Sequence, residues 1–461
     1  MTRRILIDPV TRLEGHGKIT IILDDSGQVE HAYFQVPEFK AFELFCRGRA
    51  IEEMPALTQK ICGVCPTAHH HASSKALDDL FGVKPPPAAA KIRELMHNAF
   101  MFEDHLLHFF FLGGPDIIVG FDAPASKQNI LGVIETLGME AGKEAIEIRK
   151  KVRRIISIIG GSPLYPANGL PGGVSKALSA PEIAEIRSTA SHALLFAKAT
   201  LNLFSRRILP ESRFRDMLFD DAFRLETAYL GMVDSENRTN FYDGSLRVVD
   251  PKGKEFARFD VHEYPRHLEE HVVSWSYMKV LSLKKIPWNG FTEGPDSGIY
   301  RVGPLARFNV SEGMKTPLAQ AEYERILETF GGKPVHQTLA YHWTRLMEVL
   351  YAAERMRELA DDPGLSDSNV RILPDSLPGE GIGVCEAPRG TLIHHYQTDP
   401  KGIVNRLNLL VATQNNAAAI CMSVEKAARA LIRDGEVSPA ILNLIEAAYR
   451  AYDPCLACAT H

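Results

Sequence analysis

The chain has 461 residues, of which 45% are hydrophobic and 24% charged, and its formal net charge is −5 at pH 7. This is the composition of an ordinary globular protein, and the weakly acidic balance argues against nucleic acid and anionic membranes as partners. No apolar run reaches the roughly 20 residues that span a bilayer. The first residues, MTRRILIDPV, contain too short an apolar stretch for a secretory signal. The sequence therefore predicts a cytoplasmic protein that does not itself span a membrane.

The predicted elements begin with β structure and continue mostly as helices. Two β-rich runs around an Asp-Ser-Gly turn, within residues 18–36, predict a hairpin. From Pro86 to about Gly113 apolar residues recur every three or four positions, which predicts a helix inside a large core. The run SLRVVDPKGKEFARFDV predicts a second hairpin in mid-chain. Further long helical patterns cover residues 126–158, 181–208, 315–330, 337–360, 402–433 and 438–452.

These elements predict a mainly α fold class, in which a large bundle of long helices carries small β attachments. Residues 1–36 are expected to form an N-terminal β region, and residues 235–312 a β-containing insertion. The chain has no internal repeat, low-complexity tract or Ser/Gly-rich linker that would separate domains. We therefore expect residues 1–461 to form a single large domain.

The chain has seven cysteines, an odd number that argues against a disulfide framework. Four of them form two C-x-x-C pairs, Cys62 with Cys65 and Cys455 with Cys458. The other three are expected to be small buried hydrophobic residues: Cys46, Cys385 and Cys421.

Two C-x-x-C pairs predict a four-thiolate site for a soft or borderline metal. A structural zinc held by four cysteines is one interpretation, but zinc ribbons separate their pairs by only about 15–20 residues. Here nearly the whole chain separates the pairs, and a large helical core needs no zinc to hold it together. The spacing therefore favours a catalytic or redox metal.

Three motifs carry a resemblance to a known family. KICGVC at 60–65 and DPCLACATH at 453–461 resemble the paired signatures of the nickel–iron hydrogenase large subunit, and DPVTRLEGHG at 8–17 is similar to that family's N-terminal motif. The order and spacing match over essentially the whole chain, although Lys60 stands where the family usually has arginine. The resemblance implies an oxidoreductase that reversibly cleaves H2 into protons and electrons.

The resemblance also implies a centre of nickel and iron, with CO and two cyanides on the iron. Cys62 and Cys455 are expected to bind nickel as terminal ligands, while Cys65 and Cys458 bridge to iron. Dihydrogen is a very weak acid, so it must be polarised between a Lewis-acidic metal and a base that takes the proton. Cys455 is expected to be that base.

Glu14 resembles the family's proton-relay glutamate. The alternative is a capping box with Thr11, but Gly15 and Gly17 make poor helix formers. His69, four residues after Cys65, is a candidate hydrogen-bond donor to a metal-bound sulfur.

Glu43, 19 residues before Cys62, stands where the family has a carboxylate ligand of a magnesium-type ion. His461 and the backbone carbonyl near Leu409 are the implied further ligands of this second ion. Without the resemblance, Glu43 would be interpreted as a solvated helix carboxylate.

Arg389 resembles an arginine that the family holds over the open face of the metal pair, with Asp104 and Asp453 as its acidic companions. An exposed loop arginine is the alternative. Asp104 lies in an otherwise apolar helical pattern, where an unpaired carboxylate would be costly, and this independently favours a paired role. Asp116 is expected to be an N-cap or loop acid.

The chain has no G-x-G-x-x-G motif and no spare cysteine set for an iron–sulfur cluster. Iron–sulfur clusters and flavin are therefore expected only on partner chains: an obligate iron–sulfur small subunit and a further flavin or diaphorase subunit. The N-terminal motif and the CPTAHHH stretch resemble the cytoplasmic, multi-subunit branch of the family. That branch passes electrons to NAD(P), a deazaflavin coenzyme, ferredoxin or a disulfide reductase.

Other interpretations remain open from the sequence. A non-catalytic relative, like the quinone-site subunit of complex I, would lack the cysteine pairs, and a membrane energy-converting hydrogenase typically has another residue at the position of His461. The family loses a C-terminal extension after this histidine, so the end of the chain resembles a mature form. Metal analysis separates a hydrogenase from a zinc protein.

Overall fold

The computed structural model describes residues 3–375 and 379–461, so residues 1 and 2 of the expected N-terminal β region lie outside the described part. Helices hold 48% of the residues and strands 18%, which confirms the mainly α fold class. None of the described helices is both long enough and apolar enough to cross a membrane.

The helices supply the body of the fold. The longest pack side by side, since α13 (Ala340–Asp361) lies against α4 (Pro87–Leu107) and α8 (Ala180–Leu203), and α7 (Met139–Gly160) lies against the same two helices. Every residue of α13 from Ala340 to Glu354 is buried, which agrees with a helix at the centre of a bundle. In chain order the helices are α1 (Phe42–Phe45), α2 (Met54–Thr58), α3 (Pro66–Leu80), α4 (Pro87–Leu107), α5 (Gly114–Ile118), α6 (Ile130–Leu137), α7 (Met139–Gly160), α8 (Ala180–Leu203), α9 (Ser212–Phe219), α10 (Tyr264–His267), α11 (Pro304–Val310), α12 (Pro317–Phe330), α13 (Ala340–Asp361), α14 (Ala412–Asn415), α15 (Ala417–Leu431), α16 (Pro439–Arg450) and α17 (Leu456–Ala459).

Small sheets surround this bundle. The predicted N-terminal hairpin is formed by β2 and β3, and β1 pairs antiparallel with β2 to complete a sheet in the order β1-β2-β3. The mid-chain strands form a sheet in the order β11-β6-β7-β8 and a ladder of β9 with β10. The strands are β1 (Arg3–Ile7), β2 (Lys18–Leu23), β3 (Val29–Gln35), β4 (Gly169–Leu170), β5 (Gly173–Val174), β6 (Ala228–Val233), β7 (Ser245–Val249), β8 (Glu255–Phe259), β9 (Leu268–His271), β10 (Val280–Leu283), β11 (Tyr300–Arg301), β12 (Glu380–Ala387), β13 (Gly390–Thr398) and β14 (Val404–Leu410).

The sheet β12-β13-β14 differs from the sequence-based prediction. The helix predicted over 402–433 begins only after β14, as the short α14 followed by α15. Val404, Leu407 and Leu410 are three residues apart, so they fit one face of a helix as well as an irregular strand. Antiparallel pairing of β14 with β13 decides between the two, and local periodicity does not contain that information.

This sheet packs unusually closely on α3. A Cβ atom built on Gly381 or Gly383 would lie within 2.4 Å of α3 atoms, including the backbone oxygens of Ala76 and Ala72. Only glycine permits this approach of strand and helix. The contact brings the N-terminal end of α3 against the turn between β12 and β13.

Buried ion pairs tie the N-terminal segment to α5, and α5 to α16. The Arg450 guanidinium contacts Asp116 at 3.1 Å and also Glu446, and Arg12 contacts the same aspartate at 2.6 Å. Thr11 accepts a 2.7 Å hydrogen bond from the Tyr449 hydroxyl through its backbone oxygen. Asp116, which the sequence suggested as a cap or loop acid, is thus a buried counter-ion in α5.

We predict that Arg450→Met lowers the free energy of unfolding by about 3–5 kcal/mol, because two buried carboxylates lose a counter-charge. Arg154→Met is the matched control, since Arg154 pairs with Glu185 at 3.2 Å where both side chains are largely exposed. The control should change the free energy by at most about 1 kcal/mol. Urea unfolding followed by circular dichroism measures the free energy of unfolding of both variants. Equal decreases in the two variants would contradict a special role for the buried ion pairs of Arg450.

Candidate metal centre

The four paired cysteines meet in one buried cluster. All four sulfur atoms lie within 4.8 Å of one another, and each residue is buried. Sγ of Cys62 lies 3.2 Å from Sγ of Cys455, and Sγ of Cys65 lies 3.1 Å from Sγ of Cys458. Among the described residues this is the only group of three or more potential ligands that could hold a metal ion.

The first pair is presented by the start of α3. Cys65 is the N-cap residue of this helix, and Pro66 follows at its first position, where a missing N–H costs nothing. The backbone N–H groups of Val64 and Cys65 point at Sγ of Cys62, at 3.2 and 3.3 Å. N–H groups at the beginning of a helix stabilise negative charge, so this turn favours a thiolate.

The second pair is presented by α17, and the N-terminal segment holds it in place. Glu14 and Cys455 form a parallel backbone bridge, in which the Leu456 N–H donates to the Glu14 carbonyl at 2.9 Å. Gly15 has a φ of +90°, and a Cβ at this position would lie 2.9 Å from Cβ of Leu456. Only glycine fits both conditions, which explains why the motif has glycine directly after the glutamate.

The Glu14 side chain lies directly beside the cluster. Sγ of Cys455 donates to Oε2 of Glu14 at 3.0 Å, and the Ala457 N–H donates to the same oxygen at 3.0 Å. Burial raises the pKa of Glu14 above its ordinary value. A carboxyl group in this position can exchange a proton with the sulfur.

Arg389 lies in the turn between β12 and β13 and is buried. Its guanidinium contacts Asp104 of α4 at 3.1 Å and Asp453 at 3.1 Å. Burial raises the pKa of Asp104 to about 7, while the arginine acts in the opposite direction. The structure thus brings together the three residues that the sequence grouped, and the exposed-loop interpretation of Arg389 is wrong.

His69 lines the same small cavity as Cys65, Cys455, Cys458 and Arg389. A hydrogen bond of 3.1 Å joins Nδ1 of its ring and Nε2 of His394. Burial lowers the pKa of His69 to about 4. The ring is therefore neutral at pH 7 and has only one N–H to donate.

Glu43 and His461 approach each other behind the cluster. Oε1 of Glu43 lies 3.6 Å from Nε2 of His461 and accepts a 2.9 Å hydrogen bond from the Leu409 N–H. Nδ1 of His461 lies 2.7 Å from the Cys458 carbonyl oxygen. Burial acts to raise the pKa of Glu43, but His461 and the Leu409 N–H outweigh it and lower the pKa.

Sequence reasoning missed several residues around the cluster. Thr413 accepts a 3.0 Å hydrogen bond from the Cys455 N–H. Arg307, fully buried in α11, contacts Glu348 and Glu386 at 2.6 Å and donates to the carbonyls of Ala387 and Pro388, just before Arg389. Charged residues inside apolar helical patterns, such as Arg307, could have indicated buried ion pairs. Their partners are distant in sequence, so the pairing itself could not be predicted.

The donor set of this cluster fits a nickel–iron pair. Burial raises the pKa of Cys455 and Cys458 well above that of a free thiol, so the sulfurs can be thiolates together only beside a cation. Nε of Arg389 and Oδ2 of Asp453 are buried without a hydrogen-bond partner among the described residues. Buried polar atoms are normally satisfied, and Arg389 lines the cavity beside the cluster, so its Nε fits a bound group that has polar atoms of its own.

Comparison with known families agrees with this geometry. The nickel-dependent hydrogenase family matches residues 40–129 and 295–461, and a HoxL-like family matches residues 4–39. An F420-non-reducing hydrogenase iron-sulfur subunit from Archaeoglobus profundus is 43% identical, with coverage of 100% of this chain and 94% of the relative. The NAD-reducing hydrogenase HoxS subunit beta of Cupriavidus necator is 38% identical, with coverage of 100% of this chain and 95% of the relative.

Solved structures show the same fold. The crystal structure of an NAD+-reducing [NiFe]-hydrogenase in the H2-reduced state superposes with a TM-score of 0.93 at 38% identity, and each chain is covered completely. The Ni-Fe-Se hydrogenase of Desulfovibrio vulgaris Hildenborough superposes with a TM-score of 0.75 at 23% identity, which shows a shared fold alone. The chain belongs to the nickel-dependent hydrogenase family, as the catalytic large subunit of a nickel–iron hydrogenase.

Proposed function

We propose that this chain cleaves H2 heterolytically with Cys455 as the base and Glu14 as the proton relay. The observation that carries this proposal is the 3.0 Å contact between the Cys455 sulfur and the Glu14 carboxyl group at the wall of the buried cluster. A nickel–iron pair held by Cys62, Cys65, Cys455 and Cys458 would supply the Lewis acidity that polarises dihydrogen and would accept the hydride. The thiolate of Cys455 takes the proton and passes it to Oε2 of Glu14.

The surroundings of Glu14 support its relay role. The Ala457 N–H holds the carboxyl group in place, and burial raises the pKa of Glu14 above its ordinary value, which favours uptake of a proton by this group. Glu14 is also partly exposed, whereas Cys455 is fully buried. The carboxyl group is therefore the point at which a proton from the cluster can reach the outside.

We propose that Arg389 orients and stabilises the polar ligands of the iron, and that Asp104 and Asp453 hold it there. The support is the pair of 3.1 Å contacts to these carboxylates, together with the guanidinium Nε beside the cavity, which has no hydrogen-bond partner in the described part of the chain. His69 is proposed as the donor of a hydrogen bond to a cluster sulfur, which would tune the electron density of the metal pair.

We propose that a divalent ion such as magnesium binds between Glu43, His461 and the Leu409 carbonyl. The Glu43 carboxylate and the Leu409 carbonyl offer the oxygen ligands that magnesium prefers. Oε1 of Glu43 also lies 3.6 Å from Nε2 of His461, which supports a shared ion. Such an ion would tie the last turn of the chain to β14. The centre draws on residues 14, 43, 62–65, 389 and 453–461, so we infer that residues 1–461 act as a single unit.

The relatives belong to multi-subunit hydrogenases, so electrons from this chain pass to a partner chain. We propose that the first acceptor is an iron–sulfur small subunit, followed by a flavin or diaphorase subunit. In the described part of the chain, the cysteines outside the cluster do not gather into a second ligand group. The NAD-reducing relative uses a soluble coenzyme, and this supports a cytoplasmic location.

Glu14→Gln should retain nickel and lose about 10²–10⁴-fold in turnover and in hydrogen–deuterium exchange with solvent, because an amide cannot relay a proton. Glu52→Gln, an exposed carboxylate away from the cluster, is the control. Exchange measured by mass spectrometry on H2/D2O mixtures checks this. If Glu14→Gln exchanges at the parent rate, the proton leaves by another route.

Cys455→Ser should abolish hydrogen-dependent viologen reduction, because it removes a ligand and the base together. Cys421→Ala should retain both metals and activity, since Cys421 lies outside the cluster. Elemental analysis and infrared bands of metal-bound CO and cyanide are the measurements. A parent enzyme that contains zinc and no nickel would refute the proposed centre.

Glu43→Gln should weaken binding of the second divalent ion by about 10–100-fold, because the carboxylate charge is lost while the amide oxygen can still accept from Leu409. Magnesium content after desalting, measured by atomic emission, checks this against Glu52→Gln. Equal magnesium in parent and Glu43→Gln would remove Glu43 from the ligand set.

A further inference from the structure

The turn between β12 and β13, which carries Arg389, is held at its backbone by Arg307 of α11. Nη1 of Arg307 donates to the carbonyl oxygen of Ala387 at 2.9 Å, and Nη2 donates to that of Pro388 at 3.1 Å. These are the two residues directly before Arg389 in the chain, and Arg307 is fully buried. Connecting turns are usually the more mobile parts of a fold. Two hydrogen bonds from a buried side chain therefore restrict the place from which the Arg389 side chain extends.

All five N–H groups of the Arg307 guanidinium have an acceptor. Nε and Nη2 donate to the two carboxylate oxygens of Glu348, each at 2.6 Å, and Nη1 donates to Glu386 at 2.6 Å. The two remaining N–H groups are those that bond to the turn. Because a guanidinium is a planar fork of fixed geometry, the carboxylates set its orientation, and this orientation directs the last two donors at the carbonyl groups.

Helix α4 anchors both the side chain and the main chain of Arg389. Asp104 contacts the Arg389 guanidinium at 3.1 Å. Nε2 of the next residue, His105, lies 2.9 Å from Oε2 of Glu348. The side chain of Arg389 is thus tied to α4 directly, and its main chain is tied to α4 through Glu348 and Arg307.

The start of α11 closes on the turn from another side. Gly303, the N-cap residue of α11, has a φ of +93°, and a Cβ atom at this position would lie 2.8 Å from the carbonyl oxygen of Arg389. Nδ2 of Asn416 donates to the same oxygen at 3.4 Å. The carbonyl groups of residues 387 to 389 are therefore all in contact with neighbouring elements.

We propose that Arg307 is a positioning residue for H2 cleavage, which places the guanidinium of Arg389 beside the metal centre by holding the two carbonyl groups that precede it. The inference rests on the proposed role of Arg389 and extends it to α11. A displacement of about 1 Å within a reacting site can lower a rate by about 100-fold. The position of this turn therefore has a direct effect on turnover.

The first test is Arg307→Lys in the metal-loaded enzyme complex. Lysine keeps the positive charge, but its three N–H groups share one nitrogen and cannot hold two carboxylates and two carbonyl groups at once. The infrared bands of the iron-bound cyanides should shift, because the guanidinium of Arg389 moves relative to them. Hydrogen-dependent turnover should fall by about 10–100-fold, while nickel and iron contents equal those of the parent.

Arg93→Lys is the matched control. Arg93 is also fully buried, contacts the Asp78 carboxylate, and donates to the carbonyls of Leu170 at 2.8 Å and Gly173 at 2.6 Å. The substitution removes the same kind of contact at the β4–β5 hairpin. A general loss of stability is therefore common to both variants, and only Arg307→Lys should move the cyanide bands.

Gly303→Ala tests the position of the turn without changing a charge and decides the matter if Arg307→Lys does not fold. The added Cβ would push on the Arg389 carbonyl, so the cyanide bands should shift here too. Gly138→Ala is its control. Gly138 is the N-cap residue of α7 with a φ of +96°, and no atom lies within 4 Å of the Cβ position among the described residues. Both substitutions strain the backbone alike, but Gly138→Ala should leave the bands unchanged.

In an Arg389→Lys background, the shifts caused by Arg307→Lys and Arg389→Lys should not add, because both changes act through one side chain. Additive shifts would overturn the inference. So would unmoved cyanide bands in a folded, metal-loaded Arg307→Lys or Gly303→Ala enzyme, or equal shifts in the two controls. Absence of CO and cyanide bands from the parent would instead refute the proposed function.

Discussion

The burial of charged groups inside a large apolar core is the constraint on which the rest of the fold depends. Four cysteine sulfurs, two aspartates and an arginine lie together at exposures of 5% or less. An isolated ion in such a place costs several kcal/mol even after relaxation. The position of Arg389 between Asp104 and Asp453 meets this requirement, because each buried charge there has an opposite charge beside it.

The same requirement explains how the ends of the chain are held. The N-terminal segment pairs by its backbone with the residues around Cys455. The Arg12–Asp116 pair anchors that segment to α5, and the hydrogen bond from Tyr449 to Thr11 anchors it to α16. Terminal segments usually fray unless they are tied down. Here the ion pairs and the close approach at Gly15 supply that restraint, so that ligands from both ends can meet at fixed distances.

The turn that carries Arg389 is fixed by a second buried cation. Arg307 is held by the carboxylates of Glu348 and Glu386 and donates to two carbonyls of the turn itself. This places Arg389 on a rigid hairpin, whose strand β13 also presents side chains to α3. A site built on such supported elements keeps its geometry without help from flexible loops.

The ligands, the main helices and the family could all be read from the sequence. Thiolate chemistry makes two C-x-x-C pairs informative at any separation, and apolar periodicity locates helices such as α4 and α13 because both signals are local. The strand β14 and the hydrogen bond between His69 and His394 became visible only in three dimensions. Their partners lie on other elements, and His69 is 325 residues away from His394. Hydrogen bonds across such distances leave no pattern in the local sequence, so only the packing of α3 on the sheet could reveal them.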